Sequence, residues 1–248
     1  MKELIRLEIG GQEAKGEWVV FSDDDDTLTS DALESLYALH EGTDLVIGFP
    51  FDPSRKESLD LEQCRINSIT GEHFPPTPWA KLYRRSLLKP EVFNFPRGID
   101  GCEDMIMNIR VMFSMNRTAH FCFKKVYNFR RNTASVSHTR RCSLAYEDTF
   151  YKTLQASIQA DLLPRYNQEI VKMKLNGLLG VAHTDPQSMI DDEIHYMSTL
   201  RQQVKACHYK MNLRERLLLN TRNAFLLKKI AFAILVKISL SYRLGLNH

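Results

Sequence analysis

The chain has 248 residues, of which 44% are hydrophobic and 25% are charged, so it can bury a sizeable core and does not resemble a disordered chain. Its net charge of +3 is too small to predict a nucleic-acid-binding protein, and we expect no nucleic-acid partner. Five scattered cysteines without CxxC spacing favour reduced thiols over a disulfide framework or a zinc site.

The start of the chain carries no long apolar segment. The run MKELIRLEIGGQEAKGEW lacks the roughly 7–15-residue apolar stretch of a secretory signal. Elsewhere, no stretch reaches the roughly 18–20 uninterrupted apolar residues of a membrane-spanning helix. We therefore expect a cytoplasmic protein.

A strand, a helix and a second strand are predicted in succession. EWVVF (17–21) is a compact run of aromatic and β-branched residues, which is typical of a buried strand. TSDALESLYALH (29–40) has apolar residues at helical spacing and a capping residue among its first three. TDLVIGFPFD (43–52) predicts the second buried strand. Strand, helix and strand over this length form a βαβ unit, which favours a parallel sheet.

The next part of the chain predicts a loop and then alternating helix and strand. Residues 53–80 are polar and then proline-rich, which indicates an ordered loop over a site. AKLYRRSLLKP (80–90) predicts a short helix that stops before its proline. Residues 101–115 predict a helix with an apolar face, and residues 119–131 alternate and predict a strand. From about residue 140 onward the pattern is helical.

Four consecutive carboxylates, Asp23 to Asp26, follow the first predicted strand directly. Side chains that follow a buried strand lie at the carboxyl edge of a sheet, where open α/β folds bind ligands. The residues alone leave three interpretations open. The cluster could hold a divalent metal, cap the next helix through its dipole, or form a solvated acidic loop.

Four segments resemble, in the same order, the family 2 glycosyltransferases with the GT-A fold. They are AKGEWVVFSDDDDTLTSDALESLY (14–37), PWAKLYRRSLL (78–88), FPRGIDGCEDMIMN (95–108) and VYNFRRNTASVS (126–137). Each segment alone is a weak signal, but four of them in order are fairly specific. The bacterial members that decorate surface polysaccharides are the most similar.

The resemblance implies an α/β fold in two regions. Residues 1–140 would form a GT-A-like, partial Rossmann-like core with a mainly parallel sheet, and residues 141–248 a helical C-terminal region. Family members carry about one or two βαβ units before the acidic cluster, which hold the nucleotide, and we expect this chain to lack them. The alternative to an active transferase is therefore a truncated, non-catalytic remnant that serves as a partner or scaffold.

The resemblance also assigns the acidic cluster. Asp23 and Asp25 match the D-x-D pair, with Asp23 facing the ribose or donor sugar and Asp25 the divalent metal, Mn or Mg. Asp26 would support the turn or help to cap the helix. The implied reaction is metal-dependent, inverting transfer of a sugar from a nucleotide-sugar donor to a glycan or lipid-linked acceptor, in cell-surface polysaccharide synthesis. A metal-dependent phosphatase or nucleotidyltransferase also uses an acidic strand end, but it does not predict the later segments.

An acidic pair, Glu103 and Asp104, matches the family's Glu-Asp segment at the start of a helix. Asp104 matches the usual base, which takes the proton from the attacking acceptor hydroxyl, and Glu103 would position the acceptor or the base. The alternative is an acidic first turn that is favoured only by the helix dipole.

Three further residues are implied as parts of the substrate site. Trp79 follows three prolines and could stack on an acceptor sugar or anchor the core. Lys81 could meet a phosphate. Arg130 or His138 could reach the diphosphate, and His138 is a possible extra metal ligand, although a lone histidine is more often a surface or packing residue.

The C-terminal segment 213–244 combines seven Lys and Arg residues with many apolar ones. One interpretation is an amphipathic helix lying on the anionic inner face of the cytoplasmic membrane, close to a lipid-linked acceptor. The other is an ordinary helix that packs on the core or on a second subunit.

Overall fold

The computed structural model describes residues 10, 13–48, 58–96, 98–99, 101–130 and 142–243. The chain divides into two compact units. The first comprises Met1–His138 and Thr153–Ala160, and the second comprises Thr139–Lys152 and Asp161–His248.

All strands of the described residues belong to the first unit. They are β1 (Trp18–Val20), β2 (Thr27–Leu28), β3 (Leu45–Gly48), β4 (Ser58–Leu59), β5 (Lys81–Arg84), β6 (Ala119–Cys122) and β7 (Tyr127–Asn128). The α-helices of the described residues are α1 (Ala32–Tyr37), α2 (Leu61–Thr70), α3 (Glu103–Ser114), α4 (Leu144–Ala156), α5 (Asn167–Thr184), α6 (Pro186–Asp191), α7 (Tyr196–Ala206), α8 (Leu213–Asn220) and α9 (Ala224–Arg243). Short 3₁₀ turns cover Arg85–Leu87, Pro90–Phe93 and Leu163–Tyr166.

Five strands form a mixed sheet in the order β1-β5-β3-β6-β4. Strands β1, β3 and β6 run in the same direction, because β1 and β3 are both antiparallel to β5 and β3 is parallel to β6. Strand β4 runs against β6. The predicted strands β1 and β3 therefore do share a direction, but β5 is inserted between them. The other two strands, β2 and β7, form a separate antiparallel pair.

The alternation of side chains along the central strands builds a core on each face of the sheet. Leu45 and Ile47 point to one face, where they pack with Met107 and Val111 of α3. Val46, between them, points to the other face and joins the cluster that includes the α1 side chains. Helices thus cover both faces, which is the layered α/β architecture expected from the sequence.

Helix α2 lies inside the segment that the sequence predicted as a loop, so that prediction was wrong for Leu61–Thr70. The start of the helix is defined by a capping box. The Asp60 side chain accepts from the Gln63 N–H, and the Gln63 side chain accepts from the Asp60 N–H. The helix ends at Gly71, which adopts the left-handed conformation with φ of 68°.

The helix predicted for residues 80–90 was also wrong. Lys81–Arg84 is instead the strand between β1 and β3, and the 3₁₀ turn Arg85–Leu87 follows it. The first three residues of this strand are buried, so neighbouring strands on both sides outweigh the local helical preference. The strand predicted for residues 119–131 is two strands, β6 and β7, separated by four residues.

The second unit is helical in its described residues, as the sequence predicted. Its core includes Leu175, Leu178 and Val181 of α5, together with Leu218 of α8 and Leu227 of α9. None of the described helices is long and apolar enough to cross a membrane.

Candidate active site

The acidic turn lies between two strands. Phe21, at the end of β1, forms an isolated parallel bridge with Trp79. The turn Asp23–Asp26 follows and is closed by the Asp26 N–H, which donates to the Asp23 carbonyl at 3.3 Å. The chain then enters β2, and α1 begins only at Ala32 with Asp31 as its N-cap. The interpretation of the four aspartates as a helix cap is therefore wrong, because a strand separates them from the helix.

The turn is fastened to a segment about a hundred residues later in the chain. The Asp23 N–H donates to the Tyr127 hydroxyl at 3.0 Å. The Asp26 carboxylate is buried and accepts from the Arg130 N–H at 2.6 Å. Asp26 thus supports the turn, which is one of the two roles predicted for it, the other being to cap the helix. Burial raises the pKa of Tyr127, and the neighbouring Asp26 and Asp23 carboxylates add to the effect, so the hydroxyl stays protonated.

Three aromatic rings form a stack beside the acidic turn. Trp79 lies 4.8 Å from Tyr127 between ring centroids, with an interplanar angle of 10°, and 6.0 Å from Phe129. Trp79 is half-buried against the core cluster, whereas Phe129 is 60% exposed. The sequence analysis missed Tyr127 and Phe129 as site residues. The sequence feature that could have indicated them is the run YNF (127–129) in the fourth family-like segment, which was interpreted only as part of a strand.

The carboxylates of the turn differ in exposure, which bears on whether a metal fits. Asp24 and Asp25 are exposed and Asp23 is half-buried. The buried Asp26 lies near the Tyr127 hydroxyl, yet no described donor reaches its Oδ2 in hydrogen-bonding geometry. Within the described part of the chain, no three His, Cys, Asp or Glu side chains converge as a metal-binding group. One or two carboxylates that share a cation with substrate phosphates form a normal Mg²⁺ donor set, so a site of that kind does not require three converging side chains.

The acidic pair opens helix α3. Glu103 and Asp104 occupy its first turn, where the helix dipole favours negative charge, and both are half-buried. The Asp104 carbonyl accepts from Asn108 Nδ2 at 2.8 Å, an i to i+4 contact along the helix. The charge of Asp104 also acts on Lys81 and Tyr83, whose pKa values it raises. The structure therefore places Asp104 beside β5.

Lys81 is buried at 1% exposure, at the start of β5. Its ammonium donates to the Pro75 carbonyl at 2.9 Å and to the Thr77 carbonyl, and lies 5.5 Å from the Phe74 ring centroid. Burial lowers the pKa of Lys81 to about 7, and the nearby Asp104 opposes this shift.

The predicted site residues therefore fall into two connected groups. Asp23, Trp79 and the backbone of Arg130 meet around Tyr127, while the Arg130 side chain is exposed. In the second group, Lys81 binds the Pro75 and Thr77 carbonyls, and the charge of Asp104 acts on its ammonium. His138 lies outside the described residues.

Residues 7–120 match the family described as glycosyl transferase family 2. The part of the chain from residue 7 to residue 120 is therefore similar to a glycosyl transferase family 2 domain. The match contains the acidic turn, the Trp79 segment and the acidic pair, which is the part of the molecule that holds the candidate site. This agrees with the resemblance drawn from the four sequence segments.

The chain is also similar to curated proteins of Staphylococcus aureus. In strain MW2, poly(ribitol-phosphate) β-N-acetylglucosaminyltransferase TarS is 24% identical over 211 residues, which cover 79% of this chain and 36% of TarS. In strain Mu50, TarS is 25% identical over 191 residues, covering 72% of this chain and 32% of TarS. The chain thus spans about a third of the length of these relatives.

Solved structures show the same fold. The crystal structure of S. aureus TarS 1-349 in complex with UDP-GlcNAc aligns with 96% of this chain and 71% of that one, with a TM-score of 0.63 and 19% identity. The complex with UDP aligns over 96% and 70%, with a TM-score of 0.56 and 18% identity. The mixed α/β core followed by a helical region therefore has the fold of these TarS 1-349 structures, which agrees with the GT-A-like fold predicted from the sequence.

Proposed function

We propose that this chain transfers a sugar from a nucleotide-sugar donor to a polymeric or lipid-linked acceptor during synthesis of a cell-surface polysaccharide. The observation that carries the proposal is the family 2 match over residues 7–120, because that match includes both acidic groups of the site. TarS, which shares this fold, is solved with UDP-GlcNAc and with UDP, so we propose a UDP-sugar as the donor. TarS is a poly(ribitol-phosphate) β-N-acetylglucosaminyltransferase, so a poly(ribitol-phosphate)-like polymer is the first acceptor to test.

The donor side of the proposed reaction uses the acidic turn. When bound there, Mg²⁺ or Mn²⁺ would neutralise the charge that accumulates on the departing diphosphate. Asp25, exposed at the tip of the turn, and Asp23 would hold that cation. The Asp23 backbone is fixed by Tyr127 and the Asp26 carboxylate by the Arg130 N–H, so the protein sets the shape of this turn through residues of a distant segment.

The acceptor side uses the acidic pair. Asp104 would accept the proton of the attacking hydroxyl, and direct attack on the anomeric carbon makes the transfer inverting. The Asp104 backbone is held by Asn108, and its charge lies near the Lys81 ammonium. A nearby cation favours the ionised carboxylate that a base requires. Trp79 and the exposed ring of Phe129 would supply the apolar surface on which an acceptor sugar stacks.

The test is a transfer assay on the full chain with UDP-GlcNAc, Mn²⁺ or Mg²⁺ and a poly(ribitol-phosphate) acceptor. We expect Asp104→Asn to lower kcat by about 10²–10⁴-fold, because it removes the base without changing the shape of the side chain. Asp25→Asn should raise the metal concentration needed for activity. Asp24→Asn, a change of the neighbouring exposed carboxylate, is the matched control and should leave activity close to that of the wild type. Full activity in the Asp104→Asn protein would contradict the assignment of the base.

A non-catalytic remnant is the competing proposal, and donor binding separates the two. Isothermal titration with UDP, GDP and their sugars should detect binding of one donor class if the chain is a transferase. The absence of binding to all of them would favour the scaffold role.

The outer face of α9 supports the proposal of peripheral contact with the inner face of the cytoplasmic membrane. Leu227 and Ala231 of this helix are buried, while Phe225, Phe232 and Val236 are exposed on its opposite side. Their i, i+7, i+11 spacing places them in one stripe. The exposed lysines of the helix accompany that stripe and are Lys228, Lys229 and Lys237. An apolar stripe with flanking cations matches an anionic lipid surface.

Vesicle sedimentation tests this contact. The full chain should sediment with vesicles that contain an anionic phospholipid and much less with purely zwitterionic vesicles. Changing Phe225 and Phe232 to serine should abolish sedimentation, whereas Phe123→Ser, a change of an exposed ring in the other unit, should not. Equal sedimentation of all three proteins would contradict the assignment of the surface.

A further inference from the structure

The segment that leads to Trp79 cannot form regular secondary structure by itself. It reads Phe-Pro-Pro-Thr-Pro-Trp over residues 74–79, and prolines have no backbone N–H to donate. Their carbonyls nevertheless need donors when they are removed from water. The shape of this segment must therefore be set by donors from elsewhere in the chain.

Two buried side chains supply those donors. Lys81 Nζ donates to the carbonyls of Pro75, at 2.9 Å, and of Thr77. Asn108 Nδ2 donates to the Pro76 carbonyl at 3.0 Å. Three consecutive carbonyls are thus bound by one lysine and one asparagine, which are 1% and 0% exposed.

The same two side chains also interact with Asp104, the second residue of the acidic pair. Asn108 Nδ2 donates a second time, to the Asp104 carbonyl at 2.8 Å, and its Oδ1 accepts from the Tyr83 hydroxyl at 2.9 Å. The Lys81 ammonium is close enough to Asp104 for the two charges to interact. One hydrogen-bond network therefore connects the carbonyls that precede Trp79 with the first turn of α3.

A purely structural core would not need these groups. Burying an ammonium costs several kcal/mol, and apolar residues of similar volume often stabilise a protein at least as well. Asn108 is instead placed where it contacts both the Pro76 carbonyl and the Asp104 carbonyl. Lys81 binds the Pro75 and Thr77 carbonyls at a position where the charge of Asp104 acts on its ammonium. This arrangement fixes the distance between the proline-rich segment and the first turn of α3, which an apolar core would determine by packing alone.

We propose that Lys81 and Asn108 are positioning residues that hold Trp79, through the 75–77 carbonyls, in a fixed relation to Asp104. Their effect on the acceptor side of the reaction rests on the proposed function, whereas their control of the position of Trp79 does not. Lys81 thereby acts from beneath the loop on its backbone. This differs from the phosphate contact that the sequence resemblance implied for it.

Tryptophan fluorescence tests the structural part without any activity. The chain has two tryptophans, Trp18 and Trp79, so a Trp18→Phe background leaves Trp79 as the sole reporter. In that background, Lys81→Gln and Asn108→Ser should each shift the emission to longer wavelength and raise iodide quenching about twofold. Lys89→Gln, a change of an exposed lysine close in sequence, is the control and should change neither.

Circular dichroism shows whether each variant is folded. If Lys81→Gln is unfolded, the quenching of Trp79 in the Asn108→Ser protein tests the proposal. Unchanged quenching of Trp79 in a folded Asn108→Ser protein would overturn the proposal. If neither variant folds, the network serves stability alone and the proposal is wrong.

The transfer assay tests the catalytic part. The folded Asn108→Ser protein should raise the acceptor KM and lower kcat, each by about tenfold, because small misplacements of reacting groups are costly. The donor Kd from titration should stay within about twofold of the wild-type value. Changed fluorescence with unchanged acceptor KM and kcat would overturn the catalytic part. Absence of transfer in the wild type would instead refute the proposed function and leave the fluorescence result standing.

Discussion

Removal of the Tyr127 hydroxyl should loosen the acidic turn. In Tyr127→Phe the ring remains, so the stack with Trp79 at 4.8 Å is kept. What is lost is the acceptor of the Asp23 N–H at 3.0 Å. The substitution therefore separates the hydrogen bond from the packing of the ring.

The magnitude follows from the setting of this hydrogen bond. A neutral hydrogen bond contributes about 0.5–1.5 kcal/mol net, and the Asp23 N–H is only part-buried, so water can replace some of the loss. We expect the free energy of unfolding to fall by about 1 kcal/mol, which corresponds to a Tm lower by about 2–4 °C. If the donor binds the ordered turn, its Kd should rise by no more than about fivefold, the equivalent of the same energy.

Urea unfolding followed by circular dichroism measures the first quantity, and titration with UDP measures the second. Tyr37→Phe is the matched control, since Tyr37 is an exposed tyrosine away from the turn. A Tyr127→Phe protein with wild-type stability and wild-type UDP affinity would refute the role of this hydroxyl. A loss of affinity far above fivefold would show that the hydroxyl contacts the donor itself.

Other parts of the molecule allow further tests. The pKa of Lys81 is about 7 in the folded chain and near 10.5 when unfolded, so the native state binds fewer protons between these values. Stability should therefore rise from pH 7 to pH 10 relative to Lys81→Met, which urea midpoints at several pH values will measure. Gly48→Ala should destabilise the first unit by about 1–3 kcal/mol, because a Cβ there would lie 2.3 Å from Val126 Cγ2. Gly177→Ala should cost the second unit less, since its Cβ would meet Glu147 Oε2 at 2.3 Å, which is the far end of a flexible side chain, and alanine is favoured over glycine inside a helix. Wild-type midpoints in either alanine variant would show that the neighbouring side chain moves away freely.

The local patterns predicted the parts of the fold that depend on neighbours in sequence. The run EWVVF predicted β1, and the apolar periodicity after residue 101 predicted α3. The same reasoning missed α2, although its capping box of Asp60 and Gln63 was visible in the sequence. It also predicted a helix where β5 lies. The helical preference of LYRRSLL is a local property, whereas β5 is stabilised by the two strands that flank it, β1 and β3, which are distant in sequence.

The candidate site was predictable in its residue types but not in its contacts. The resemblance selected the Asp23–Asp26 cluster and Asp104, and its assignments of Asp23, Asp25 and Asp104 remain proposals. The contact of Asp26 with Arg130 joins residues 104 positions apart, which no local pattern reveals. Likewise, the burial of Lys81 under the proline-rich segment depends on the sheet order, which was not predicted.

The β2–β7 pair has a consequence for how the protein is made. Thr27 pairs with Asn128, so the acidic turn gains its native partners only after the ribosome has added a further hundred residues. At about 5–20 residues per second, this leaves the four aspartates unpaired for roughly 5–20 s during synthesis. A nascent chain that stops before Tyr127 would carry all four carboxylates and still lack the shape of the turn. The turn thus gains its native shape only long after its own sequence has been translated.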